Sequence, residues 1–311
     1  MTRIVAIGEC MVELAPCPTP DTYRAGFAGD TLNTAWYLRK MLAAEHEVAY
    51  FTAVGHDDMS QRMVAFLDAA GIVTAHIQRR HDSTVGLYMI SLNNGERSFS
   101  YWRGQSAARR MLDGEGALQA ALAGADMAYI SGITLAILPD CDRARLLHGL
   151  QVFRDSGGKV VFDPNLRPRL WPDGAAMTGA VMQAAAVSDI CLPSYEDEAD
   201  WFGDATPDAT AQRYRDAGVG LVVVKNGPGE IMVVADGQRV TFAPEPVLDV
   251  VDTTAAGDSF NAGFLASYLD DGDLERACVA AARLAAHVIS HSGALVALDA
   301  PPLVPAPVAG A

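Results

Sequence analysis

Short β-branched apolar runs alternate with longer stretches of helical period along this chain, and that rhythm limits the folds open to it. RIVAIG, VAYFTAVG, MAYISG, KVVFDP, DICLPS and LVVVKNG, starting at residues 3, 48, 127, 159, 189 and 221, are continuous enough in apolar residues to be strands covered on both faces. Amphipathic stretches fall between them at about 32–44, 58–71, 139–156, 174–187 and 207–217. Such alternation predicts an α/β fold with a mostly parallel central sheet between two layers of helices. Sheets of this kind bind ligands beyond the carboxyl ends of their strands. Gly8-Glu9, Asp163-Pro164-Asn165 and Lys225-Asn226-Gly227, which close three of the runs, are therefore expected to line one crevice.

The segment VGLYMISLNNGERSFSYWRG, 85–104, breaks the rhythm. It reads as two period-2 strands around an Asn94-Gly95 turn, with Phe99, Tyr101 and Arg103 on one face of the second arm. A hairpin inserted into a βαβ series is expected to be a lid or an oligomer contact; a meander at the sheet edge is the alternative. The Pro/Ala-rich stretch 301–311 reads as a loose tail after one domain over 1–300.

Composition narrows the partners. The net charge of −15 argues against nucleic acid or an anionic membrane, whose phosphates demand clustered Lys and Arg. An anionic ligand would need a local positive pocket. Five scattered cysteines, Cys10, Cys17, Cys141, Cys191 and Cys278, form no C-x-x-C pair and fit reduced thiols. MTRIVAIGEC reads as a first strand rather than a signal peptide, and no apolar window is long enough to span a bilayer. The expectation is a soluble, cytoplasmic protein.

VVDTTAAGDSFNAG, 250–263, holds the strongest chemical signal. Phe260, Phe264 and Tyr268 recur every four residues, so a buried helix is expected to begin near Ala255. Its first turn would offer unpaired N–H donors at the positive end of the dipole, with side chains small enough for a phosphate to approach. A carboxylate there, Asp258, would be able to take a hydroxyl proton while those donors stabilise a transferring phosphoryl group. It would equally serve as a plain complement to the helix dipole, and spacing alone does not separate the two.

DTTAAGDSFNAGF is similar to the C-terminal signature of the ribokinase-like, phosphofructokinase-B-type sugar kinases, D-T-x-G-A-G-D. GFAGDTLNTA, 26–35, is similar to the second block of that family. IGECMVEL, GFAGDTLNT, GERSFSYWR, SGITLAIL and DPNLRPRLW, in that order, resemble the branch acting on 2-keto-3-deoxygluconate over roughly residues 3–300. The resemblance implies a ribokinase-like three-layer sandwich with a small β lid from about 10–27 and 84–104. It implies ATP-dependent phosphorylation of an acidic keto-deoxy sugar at its terminal hydroxyl, giving the 6-phosphate.

The site residues follow by position. Asp258 matches the catalytic base, and Ala255, Ala256 and Gly257 the backbone anion hole for the γ-phosphate. Gly29, Asp30 and Asn33 match the sugar-binding block. Tyr88, Tyr101 and Arg103 match lid positions that close over the keto acid. Arg167 matches an arginine between the acid and nucleotide sites, with Asn165 beside it. Lys225, Gly227 and Gly229 match the loop along ATP. The resemblance also implies Mg²⁺ with the ATP, a monovalent cation such as K⁺ near Asp252 and Thr254, and a homo-oligomer formed through the lid. Two arginines suit a carboxylate, which a guanidinium holds bidentately; Arg103 as a solvated hairpin charge and Arg167 in a salt bridge with Asp163 or Asp173 are the alternatives.

The chain departs from the family pattern in places. Ala28 and Ala255 stand where glycines are usual, tolerable at negative φ and strained at positive φ. Ser194 and Asp197 fall at the key places of an N-x-x-E stretch associated with magnesium, so no metal ligand is assigned. A P-loop is absent, since GGKV at 157–160 lacks the first glycine and the final hydroxyl. His287 and His291, spaced i, i+4, lack a third ligand and read as a polar helix face or an adenine-pocket edge. DDGDLE, 270–275, reads as a turn between helices. Open alternatives are a kinase for fructose, ribose or the galactonate epimer, and a non-catalytic sugar-binding protein. A dinucleotide oxidoreductase would need more glycines than IGECMVEL offers.

Overall fold

The computed structural model describes residues 1–93, 96–235 and 237–298. Its strands are β1 Arg3–Ile7, β2 Met11–Pro16, β3 Tyr23–Ala28, β4 Glu47–Phe51, β5 Ala53–Val54, β6 Gln78–Arg79, β7 Gly86–Asn93, β8 Glu96–Trp102, β9 Met127–Ser131, β10 Lys159–Asp163, β11 Ile190–Cys191, β12 Leu221–Val224, β13 Ile231–Ala235 and β14 Gln238–Phe242. Its α-helices are α1 Asp30–Met41, α2 Asp58–Ala69, α3 Ala117–Leu122, α4 Gly132–Ile137, α5 Asp140–Asp155, α6 Gly174–Ala186, α7 Tyr195–Phe202, α8 Pro207–Asp216, α9 Ala256–Asp271 and α10 Leu274–Ile289.

Among the described residues the main sheet runs β14-β13-β12-β11-β10-β9-β1-β4. It is parallel from β12 to β4, and β13 and β14 add an antiparallel edge. Side chains of adjacent residues leave a strand on opposite faces, and the two cores follow that alternation. Ile4, Ala6, Val48, Tyr50 and Tyr129 join one cluster with Phe264 of α9 and Leu284 of α10. Val5, Ile7, Ala49, Phe51 and Ala128 join the other with Leu146 of α5 and Val181 of α6. Both faces are thus apolar and both are covered, which is why these strands are continuous apolar runs.

All six anticipated runs form strands of this sheet, and the five amphipathic stretches form α1, α2, α5, α6 and α8. The antiparallel pair β13–β14 was not anticipated: its outer strand is largely solvated and carries no continuous apolar run. No helix of the described residues is long and apolar enough to cross a membrane.

A second sheet, β3-β2-β7-β8, is built from the anticipated segments. β2 pairs parallel to β7, and the outer pairs are antiparallel, with Tyr88 opposite Tyr101. The Asn94-Gly95 turn and the 301–311 tail lie outside the described residues. The β2–β3 half of this sheet leaves β1 through Gly8-Glu9 and runs on into α1 through Gly29. A Cβ on Gly29 would lie 2.3 Å from the Glu9 carbonyl oxygen, so only glycine lets the start of α1 approach the end of β1.

Candidate active site

Asp258 is the third residue of α9, and its side chain is buried. Asn33 of α1 donates its Nδ2–H to Oδ2 of Asp258 at 2.8 Å, and the Thr34 hydroxyl donates to the Asp258 carbonyl at 3.2 Å. The carboxyl is pushed up to about 8, first by burial and then by the neighbouring Asp30 carboxylate; Asn33 and Lys225 pull the other way. A group held there suits proton abstraction near neutral pH.

The turn before Asp258 is open to a ligand. Ala255 caps α9 with no side-chain hydrogen bond, at φ 60° and ψ 17°. That is the left-handed region, so Ala255 occupies the strained case, as Asn165 does at φ 35°. Ala28 instead ends β3 in extended backbone, where a methyl is harmless. Of the anion-hole amides, Ala256 N–H already donates to Thr253 O at 3.2 Å, which leaves Gly257 the more available. At Gly257 the nearest neighbour to an added Cβ would be Lys225 Nζ, at 3.6 Å.

The sugar-block residues converge on the same place. Gly29 caps α1, and its N–H donates to Asn33 Oδ1 at 3.3 Å. Asp30 accepts from Asn165 Nδ2 at 2.9 Å, which joins α1 to the loop after β10. Loss of water pushes its carboxyl up; Ser131, the Thr31 amide and Asn165 oppose this, and Asp163 reinforces it.

Lys225 directly follows β12. Its amine does not follow the loop Asn226-Gly227-Pro228-Gly229 but turns inward, donating to Asp163 Oδ1 at 3.3 Å and Asn261 Oδ1 at 3.1 Å. The loop itself is a tight turn, with Gly227 at φ 52° and Gly229 N–H donating to Asn226 O at 2.7 Å.

On the second sheet Tyr88 is buried and donates its hydroxyl to Glu13 Oε2. Tyr101 is exposed, with its ring 5.9 Å from that of Tyr88. Arg103 is not a solvated hairpin charge: it forms an ion pair with the buried Glu9. Arg167 is half exposed; it donates to Leu166 O at 2.6 Å and lies 3.9 Å from Asp197, not from Asp163 or Asp173. Burial raises the Asp197 carboxyl and Arg167 draws it back down.

Residues 1–301 match the pfkB family of carbohydrate kinases. The chain belongs to that family. It is 40% identical over 303 residues to a 2-dehydro-3-deoxygluconokinase of Haemophilus influenzae, covering 95% of this chain and 96% of the relative. A PfkB protein from Polaromonas superposes with a TM-score of 0.80 at 27% identity, covering 92% of this chain and 94% of that one. A fructokinase of Xylella fastidiosa solved with bound ATP superposes equally well, TM-score 0.80, at 21% identity and covering 94% and 93%.

As a pfkB kinase the chain has a ribokinase-like fold, and Asp258, Asn33, Asp30 and Asn165 stand together in it. Sequence reasoning placed Glu9 and Asp163 in the crevice without giving them a role, and passed over Glu13, Tyr129 and Asn261. Asn261 lies one helical turn beyond Asp258, so a polar residue at i+3 on a buried helix was the available signal. Asp163 was visible as a strand-end carboxylate, whereas nothing local pointed to Glu13 or Tyr129. His287 and His291 pack ring to ring at 4.6 Å, His287 Nε2 lies 3.1 Å from Ala297 O, and the described residues contain no group of three or more metal-ligating side chains.

Proposed function

We infer that this pfkB kinase transfers the γ-phosphoryl group of ATP to the terminal hydroxyl of 2-keto-3-deoxy-D-gluconate. The carrying observation is the Asp258 carboxylate, held near neutrality by burial, one residue after the open first amides of α9. Asp258 takes the hydroxyl proton, the alkoxide-like oxygen attacks the γ-phosphorus, and the bond to the ADP oxygen breaks. The amides at the start of α9 stabilise the charge that moves onto the phosphoryl oxygens. Similarity to a 2-dehydro-3-deoxygluconokinase along nearly the whole chain supports the acid sugar as acceptor.

The residues fit a nucleotide at Ala255-Ala256-Gly257, just before Asp258, where no side chain exceeds a methyl group. Mg²⁺ would come with the nucleotide, held mainly by its phosphates and water. Gly29, Asp30 and Asn33 hold the sugar hydroxyls, Arg103 and Arg167 meet the carboxylate, and Asn165, Gly227 and Gly229 border the nucleotide. Glu9 engages one edge of Arg103, and a guanidinium has further N–H donors to offer. The second sheet is the lid, with Tyr88 and Tyr101 on it, and it excludes water when closed. Its exposed Trp102 and Phe99 support pairing with a second copy, which light scattering after gel filtration tests. A monovalent cation beside Asp252 and Thr254 belongs to the same reading, as does a reducing, cytoplasmic setting for five free cysteines.

ADP release with MgATP across 2-keto-3-deoxygluconate, its galactonate epimer, fructose and ribose tests the assignment. Turnover confined to the keto-deoxy acids is expected. Preference for a neutral sugar overturns the acid assignment and leaves the kinase reading in place.

A further inference from the structure

Lys225 is, with Arg103, among the most deeply buried basic side chains of the described residues, at 9% and 10% exposed. Burying an ammonium group is expensive unless it is paired and hydrogen-bonded. Here its partners do not belong to the nucleotide loop. Nζ donates to Asp163 Oδ1 at 3.3 Å and Asn261 Oδ1 at 3.1 Å. Asn261 Nδ2 donates in turn to Asp163 Oδ2 at 2.7 Å and to the Tyr129 hydroxyl at 3.0 Å. That hydroxyl lies 3.2 Å from Thr34 Oγ1, whose own proton goes to the Asp258 carbonyl at 3.2 Å. This chain of contacts ties β12, β10, β9 and α1 to the first two turns of α9.

The charges around Asp258 show what such a chain does. Facing it are Asp30 and the Tyr37 hydroxyl from α1, Tyr129 from β9, Asp163 from β10 and Lys225 from the end of β12. Three carboxylates share this pocket with one cation. Each added negative charge favours the protonated form of its neighbours, and a cation opposes that. Lys225 also stands beside Gly257, 3.6 Å from where a side chain there would begin.

We propose that Lys225 is a positioning residue for the base: through Asp163 and Asn261 it fixes the first turns of α9 and offsets the carboxylates around Asp258, and so sets the pH above which the kinase turns over. This rests on Asp258 being the base, as proposed above. It removes Lys225 from the set of direct nucleotide contacts.

The experiment is the pH profile of kcat for the wild-type enzyme and Lys225→Met, with KM for ATP measured alongside. The acid limb is expected to move to higher pH by about one unit, since an opposite charge at short range is lost. KM for ATP is expected to stay within about threefold, because no phosphate contact is removed. Adding Asp163→Asn to Lys225→Met removes both charges and returns the limb toward its wild-type position, a rescue that loose packing would not produce. An unmoved limb with KM for ATP raised about tenfold makes Lys225 a nucleotide contact and overturns the proposal. If Lys225→Met does not fold, Lys225→Gln keeps a donor for Asp163 without the charge, and the same shift is required of it. If the wild-type enzyme phosphorylates none of the sugars, the substrate reading fails separately. The carboxyl titration of Asp258, followed by ¹³C NMR with and without Lys225, then decides: an upward shift upholds the lysine's role and no shift ends it.

Discussion

Glu9 and Arg103 form an ion pair in which the side chains are 1% and 10% exposed. Glu9 follows β1 and Arg103 follows β8, so the pair pins the second sheet to the carboxyl end of the main one. Gly86 makes room for it, since a Cβ there would meet Glu9 Oε1 at 2.8 Å. Removing one partner of a buried pair strands the other charge. Glu9→Ala is expected to destabilise the fold by about 3 kcal/mol or more, read by urea denaturation. A loss below about 1 kcal/mol would mean that water reaches Arg103 and that the pair does not fix the sheet.

Arg103 serves the substrate as well as the sheet in this reading. Arg103→Lys keeps a charge near Glu9 but loses the planar fork that grips a carboxylate. KM for the keto-deoxy acid is expected to rise by about tenfold, with kcat changed far less. An unchanged KM in steady-state assays would assign the carboxylate to Arg167 alone.

Asp258→Asn keeps the shape and the contact with Asn33 but cannot accept the proton. Turnover is expected to fall by about 10²-fold to 10⁴-fold, the usual worth of a positioned base. Calorimetric titration is expected to show both substrates still binding. Near-normal ADP release by the purified variant would remove Asp258 from the mechanism.

The same carboxyl makes two pH dependences. A base held at about 8 must lose its proton to act, so kcat/KM of the free enzyme is expected to climb between pH 7 and 9. Stability runs the opposite way. The native state keeps this proton from the ordinary 3.8 up to about 8, whereas the unfolded chain does not. The stabilisation is therefore complete below the unfolded value and disappears as pH rises through the folded one. Asp258→Asn, permanently neutral, is expected to melt above wild type at both pH 5 and pH 9, and by a clearly larger margin at pH 9. Parallel melting curves at both pH values would contradict a raised carboxyl.

Ala255 is held at φ 60°, where a methyl group costs on the order of 1 kcal/mol. Ala255→Gly is expected to raise the melting temperature by roughly 2 °C while leaving catalysis intact. A lower melting temperature on scanning calorimetry would mean that the methyl group packs more favourably than its backbone is strained.

Much of the architecture was legible because it rests on local rules. Continuous apolar runs such as KVVFDP mark strands covered on both faces, and the four-residue recurrence of Phe260, Phe264 and Tyr268 marks a buried helix. The small residues before Asp258 marked the open turn, and the resemblance of GFAGDTLNTA to the family's second block brought Gly29, Asp30 and Asn33 into consideration. The edge strand β14 escaped notice because a solvated edge strand need not carry an apolar run, whereas its partner β13, IMVVA, does carry one and was missed.

What the chain alone determined is the set of elements, their layering and the residue types at the ends of the strands, since each depends on periodicity within a few residues. Which of those polar groups face one another was decided by the tertiary structure. Asn33 and Asp258 are 225 residues apart and meet at 2.8 Å; Asp163 and Lys225 are 62 apart and meet at 3.3 Å. Nothing near Lys225 in the chain says that its amine turns inward rather than along its loop. That direction is set by where the assembled sheet leaves a buried carboxylate needing a cation, and only the whole fold creates that need.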